Sequence, residues 1–179
     1  STQATFFMPM AAIRQDEMTK LCIAVIGAGL MGHGIALTFA RAGHAVRVTD
    51  PVAAARVVLM ARVTDSLQLM GVAKEDVTQI LARITAVDSI AAAVKDAAFV
   101  FEAAPEKRAL KQAIFAEIEA AAPATAILCS NTSVMPITQI MANLGDKTRA
   151  LGTHWWNPPH LIPLVEVIRT ADTSEAAME

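Results

Sequence analysis

Cysteine is scarce in this chain, neither sign of charge dominates, and no apolar run is long. The 179 residues include two cysteines, Cys22 and Cys129, both inside apolar runs that read as buried strands. Such residues read as small core side chains in a reducing, cytoplasmic setting, not as a disulfide framework. The balance of 15 Lys and Arg against 17 Asp and Glu leaves a net charge of -2 with no basic block, which argues against nucleic acid as the main partner. Apolar residues make up 54 %, largely through alanine, yet charges interrupt them. No uninterrupted span reaches the ~20 apolar residues that cross a bilayer, so no membrane partner is expected. His33, His44, His154 and His160 form no ligand-spaced cluster with cysteine, and no metal is expected. Repeats at a solenoid period and low-complexity segments are also missing.

Residues 1–19 fit no periodic pattern. Phe6, Phe7 and Met8 are mixed with polar residues, whereas a secretory signal needs a longer apolar core and a small-residue cleavage site. A flexible N-terminal arm over 1–19, a cloning or targeting remnant, is expected ahead of one domain over 20–179. That length suffices for a sizeable core.

What is present begins at residue 21. The apolar run Leu21 to Ile26 flows into Gly27-Ala28-Gly29-Leu30-Met31-Gly32, then a helical stretch to Ala42, a turn at Gly43, and a second apolar run ending in Asp50. A dinucleotide site needs these parts in this order. Gly27 permits the tight turn off the strand, Gly29 lets the backbone approach a pyrophosphate, and Gly32 lets the helix pack close. The helix start offers free N–H groups and partial positive charge to phosphates. Asp50, 18 residues past Gly32, suits the ribose hydroxyls, and its charge repels the 2′-phosphate of NADP, so NAD is favoured. The cofactor-binding candidates here are Gly27, Gly29, Leu30, Met31, Gly32 and Asp50. Arg47 and Arg56 read as surface charges.

Further along, Pro51 suits the first turn of a helix reaching Leu69, and Lys74 to about Arg83 reads as another. Strands are expected at 84–87, 97–101, 126–129, 149–153 and 164–168, with Asp88 and Ser89 capping a brief helix over 90–95. Residues 106–121 make an amphipathic helix with Leu110, Ile114 and Ile118 as its apolar stripe and charges on the other side. Short β-runs alternating with helices predict an α/β, Rossmann-type, doubly wound and mostly parallel sheet with helices on both faces.

Three segments carry polar groups beyond strand ends: Phe101 to Glu106, Ser130-Asn131-Thr132-Ser133, and Thr153-His154-Trp155-Trp156-Asn157-Pro158-Pro159. Ligands of open α/β sheets bind beyond the carboxyl ends of strands. Glu166 lies inside the apolar run Leu164 to Ile168, where an acid is costly unless paired. A strand returning after the proline-rich turn brings it beside His154, as a His–carboxylate dyad. The residues alone leave other readings open: a structural histidine, a solvated edge glutamate, and Ser-Asn-Thr-Ser as a helix cap before Pro136.

From about Lys20 to Ile168 the chain resembles the NAD-binding domain of the 3-hydroxyacyl-CoA dehydrogenases. The resemblance rests on Ser130-Asn131-Thr132-Ser133 with Pro136-Ile137-Thr138, His154-Trp155-Trp156-Asn157-Pro158, and Pro163 to Ile168. It implies His154 as catalytic base, Glu166 as its acidic partner and Ser133 as the hydroxyl that bonds the substrate oxygen. It also implies Asn157 on the cofactor side, Ala103, Glu106 and Lys111 along the NAD site, and Asp50 at the adenosine ribose. The implied reaction is reversible, NAD-dependent oxidation of a 3-hydroxyacyl-CoA to its 3-keto form, a step of fatty-acid metabolism.

The chain departs from that pattern. Trp155 and Trp156 replace two phenylalanines, Pro159 to Pro163 resembles the turn of relatives that act on small hydroxy acids, and the helix after Asp50 has Arg56 and Arg62 but few lysines. A dehydrogenase of a free hydroxy acid, carnitine- or sugar-acid-like, is therefore one alternative, and a non-catalytic NAD-binding module another. The family adds a mostly helical C-terminal domain that closes the cleft and makes much of a homodimer interface. The chain stops at Glu179, about where that domain begins, so a fragment or one part of a split protein is expected, binding NAD but turning over poorly.

Overall fold

The computed structural model describes residues 20–179, and the arm expected at 1–19 lies outside the described residues. Seven strands form one sheet: β1 (Cys22–Ile26), β2 (Ala45–Thr49), β3 (Ile84–Val87), β4 (Phe99–Glu102), β5 (Ile127–Ser130), β6 (Ala150–Trp155) and β7 (Val165–Ile168). Their spatial order is β3-β2-β1-β4-β5-β6-β7, parallel except for the last pair. The direction of winding reverses between β1 and β4, and a ligand crevice opens at such a point beyond the strand ends.

One face of the sheet is covered by α1 (Leu30–Arg41), α2 (Ala53–Leu69) and α3 (Lys74–Leu81). The other is covered by α4 (Ile90–Val94), α5 (Arg108–Ala121) and the single turn α6 (Ile137–Ile140). The central strands are buried on both sides, which is why they read as unbroken apolar runs. Leu59, Val63 and Leu67 of α2 pack with Ile35 and Leu37 of α1 over Val25 and Val48. Phe115 and Ile118 of α5 pack over Val100 and Leu128 on the opposite face. Cys129 is free and buried in the first of these cores, where loss of water pushes its thiol well above the ordinary range.

Ser89 caps α4 by accepting the Ala92 N–H, as its position before the helix predicts. Two expectations need correction. Pro51 precedes α2 instead of starting it, because Asp50 Oδ1 accepts the Val52 N–H and makes a turn first. The buried face of α5 is Lys111, Phe115 and Ile118, with Ile114 half-buried and Leu110 exposed. Periodicity assigned the lysine to the solvent side because it counts hydrophobicity and not ion pairing.

Candidate active site

The glycine turn joins the end of β1 to α1. Gly27 has φ of +113°, and a Cβ there would come within 2.7 Å of the Ala103 carbonyl oxygen. A Cβ on Gly32 would come within 1.8 Å of the Gly27 carbonyl oxygen, so helix and turn touch. Gly29 differs: its backbone is extended and a Cβ would meet no atom within 4 Å. No neighbour in the fold requires glycine at 29, and the open space on its Cβ side leaves room for a ligand to lie against the turn. α1 starts with neither a capping side chain nor an acid in its first turn, which leaves its first N–H groups for an anion. The residues present therefore fit a dinucleotide.

Asp50 stands past the end of β2. Its Oδ2 accepts the Ala28 N–H at 2.9 Å and its Oδ1 the Val52 N–H at 2.9 Å. The carboxylate is thus held against the turn as well as placed for a ribose. Arg56 donates to the Asp50 carbonyl and reaches Asp88 at 3.7 Å, so it is braced and not a freely solvated charge. Arg47 pairs with Asp96 at 2.9 Å on the surface.

Glu102 closes β4 and is joined by Lys111 from α5. Their side chains are both 0 % exposed, with Lys111 Nζ 2.7 Å from Glu102 Oε1. Glu102 also accepts from the Ser130 hydroxyl at 2.6 Å and the Ala104 N–H at 2.6 Å, while Lys111 donates to the Ala104 carbonyl at 3.2 Å. Burial pushes the Glu102 carboxyl above its usual range, opposed by the Lys111 charge and these hydrogen bonds. The resemblance implies Lys111 along the NAD site; here its side chain is sealed from water behind the cleft lining. It reaches toward that site through Glu106, 3.8 Å away.

The Ser130 to Ser133 segment divides its work. Ser130 serves the buried pair, Asn131 Oδ1 accepts the Trp155 N–H at 3.1 Å, and Thr132 donates to Glu106 at 3.0 Å while accepting the Met135 N–H. Ser133 donates its N–H to Glu106 Oε1 at 2.9 Å, and its hydroxyl has no partner among the described residues.

The connection 156–164 turns the chain back, so β7 runs antiparallel to β6 and places Glu166 directly opposite His154. Directly opposed residues project on one face with Cβ atoms about 5 Å apart. His154 Nδ1 lies 2.6 Å from Glu166 Oε2, with side chains 23 % and 41 % exposed. A carboxylate accepts and does not donate, so Nδ1 carries the hydrogen and Nε2 remains for other work. Trp156 lies beside the ring, centroids 5.7 Å apart, whereas Trp155 is buried against Phe39 and Phe101.

A cleft of about 360 Å³ gathers Met31, Ala103, Glu106, Ser133, His154 and Asn157 around one space. Gly27, Gly29, Leu30, Gly32 and Asp50 lie along the turn to one side of it, and Glu166 stands behind His154. A larger hollow, about 670 Å³, sits at the amino ends of the strands and contains none of these residues. Sequence reasoning missed the Glu102–Lys111 pair and the bracing role of Asn131. An acid ending an apolar strand, as Glu102 does, was the available signal.

Residues 22–179 match the family described as 3-hydroxyacyl-CoA dehydrogenase, NAD binding domain. An L-carnitine dehydrogenase of Streptomyces griseus is 38 % identical, the match covering 98 % of this chain and 52 % of that protein. A 3-hydroxybutyryl-CoA dehydrogenase of Mycobacterium tuberculosis is 37 % identical, covering 87 % and 56 %. The crystal structure of (S)-3-hydroxybutyryl-CoA dehydrogenase from Ralstonia eutropha superposes with a TM-score of 0.83 at 32 % identity, covering 89 % of this chain and 57 % of that one. The chain thus spans about half the length of the relatives it matches. It belongs to the 3-hydroxyacyl-CoA dehydrogenase family, within which it corresponds to the N-terminal NAD-binding domain.

Proposed function

We propose that this domain serves an NAD-dependent dehydrogenase that interconverts a 3-hydroxyl and a 3-keto group on a 3-hydroxyacyl-CoA. The observation that carries the reading is the 2.6 Å contact between His154 and Glu166 at the edge of the cleft shared with Ser133. His154 Nε2 takes the substrate hydroxyl proton as the carbonyl forms. Glu166 holds Nδ1–H, which fixes the ring and offsets the positive charge it acquires. The Ser133 hydroxyl holds the substrate oxygen. NAD, when bound, supplies the hydride acceptor. Gly27, Gly29, Leu30, Met31, Gly32 and Asp50 bind and orient it, with Ala103, Glu106 and Asn157 bounding its reactive end. The working enzyme is a homodimer in this reading, as the family resemblance implies.

A second reading replaces the acyl-CoA by a small free hydroxy acid, such as carnitine. One observation favours it: α2 carries no lysine, and of its two arginines Arg56 is taken up by the Asp50 carbonyl and Asp88. Reduction of acetoacetyl-CoA with NADH, compared with oxidation of carnitine and other 3-hydroxy acids with NAD, decides between them. Turnover of free acids alone sinks the CoA reading, and His154→Ala with unchanged turnover sinks both.

A further inference from the structure

The face of α2 turned toward the glycine turn carries two polar residues that the glycine motif does not contain. Arg62 and Ser66 stand one helical turn apart and share that face. The buried Ser66 hydroxyl lies 3.3 Å from His33 Nε2, and His33 Nδ1 lies 3.1 Å from the Gly29 carbonyl oxygen. A carbonyl only accepts, so Nδ1 carries the hydrogen, and in the neutral ring Nε2 accepts from Ser66. Burial, reinforced by the Arg62 charge and opposed by the Gly29 carbonyl, holds His33 below its ordinary range, which keeps the ring neutral.

Arg62 Nη1 donates to the Ala28 carbonyl at 3.1 Å, while the Ala28 N–H is given to Asp50 Oδ2 at 2.9 Å. Both polar groups of Ala28 and the Gly29 carbonyl are therefore held by side chains from outside the turn. What stays unheld at the turn is the row of N–H groups opening α1. Ala28 is the hydrogen-bond partner of the Arg62 guanidinium among the described residues, where no carboxylate lies within ion-pair distance of it. A guanidinium has five N–H donors, so most of them remain, on an exposed residue next to the glycine turn.

We propose that Arg62 is a dinucleotide-binding residue: it clamps Ala28 and offers its remaining N–H donors, with its charge, to the diphosphate of NAD. The glycine motif gains from α2 a fixed shape and a cation that its own residues lack.

Titrating the protein with NAD, ADP-ribose and adenosine tests this, since only the first two contain a diphosphate. Arg62→Ala is expected to weaken NAD and ADP-ribose about tenfold and leave adenosine unchanged. Arg62→Lys should recover part of the loss, because it restores the charge without the planar fork. Higher salt should narrow the gap between wild type and Arg62→Ala. Unchanged ADP-ribose binding in Arg62→Ala overturns the proposal. So does an equal loss for adenosine, which would mean a disorganised domain. If Arg62→Ala fails to fold, Arg62→Lys decides alone on the same contrast between ADP-ribose and adenosine. A wild-type protein that binds adenosine but not ADP-ribose overturns the diphosphate site itself and Arg62 with it, a result distinct from a defect confined to the variants.

Discussion

Two carboxylates at the carboxyl edge of the same sheet each hold a nitrogen base at nearly one distance. Glu102 meets Lys111 at 2.7 Å and Glu166 meets His154 at 2.6 Å. The first pair is sealed from water, and its remaining hydrogen-bonding capacity is consumed by Ser130 and the Ala104 backbone. The second is partly exposed, and among the described residues the His154 Nε2 has no partner. Contact distance does not separate a structural pair from a chemical one; the capacity left over after pairing does. A buried ion pair with nothing to spare fixes β4, β5 and α5 to one another, while the half-open pair keeps a nitrogen available to a ligand.

Substitutions can sharpen or break that distinction. His154→Ala should lower kcat/KM by about 10²–10⁴-fold while moving the melting temperature little, measured with whichever substrate the wild type turns over. A loss under tenfold would remove His154 from the chemistry. Lys111→Ala should do the reverse, costing about 3–5 kcal/mol in urea unfolding because it strands a buried carboxylate. A cost under about 1 kcal/mol would show that Glu102 does not need the lysine charge. Glu166→Gln keeps the size and removes the charge. It should reduce turnover about tenfold and change stability by less than about 1 kcal/mol, as expected of a partly exposed pair.

The smallest effect concerns the neutral histidines. His33, His44 and His160 are all held below the ordinary histidine range, chiefly by burial. Their contribution to stability is complete above the unfolded value near pH 6.5 and is lost as pH falls, because the unfolded chain then takes up protons the folded one refuses. The melting temperature should therefore fall from pH 7.5 to 5.5, and His33→Asn should flatten that slope. A slope identical to wild type would mean that His33 titrates alike folded and unfolded.

Much of this arrangement was legible in the residue order. The strand–glycine–helix–strand–Asp50 succession, the brief helix after Ser89 and the seven apolar runs all correspond to elements of the fold. These are local signals, set by backbone freedom, capping and periodicity. The phase of α5 was not legible, since Leu110 is exposed and Lys111 buried only because Glu102 arrives from another strand. Trp155 and Trp156, adjacent and chemically equal, differ in burial: Trp155 ends β6 and packs against Phe39 and Phe101, while Trp156, just past the strand, stays half exposed beside His154. Pro51 stayed out of α2 because the Asp50 side chain captured the next N–H.

By itself, the order of residues determined that a dinucleotide turn forms and that a mostly parallel sheet carries it, since both follow from interactions within a few positions. The tertiary structure alone decided which charges were sealed and which stayed open. It laid β7 antiparallel against β6, so that Glu166 faces His154. It carried α2 back over the turn, so that Arg62 meets Ala28. Both outcomes depend on contacts between distant segments, whose energy comes from excluding water, and no short stretch of chain contains that information.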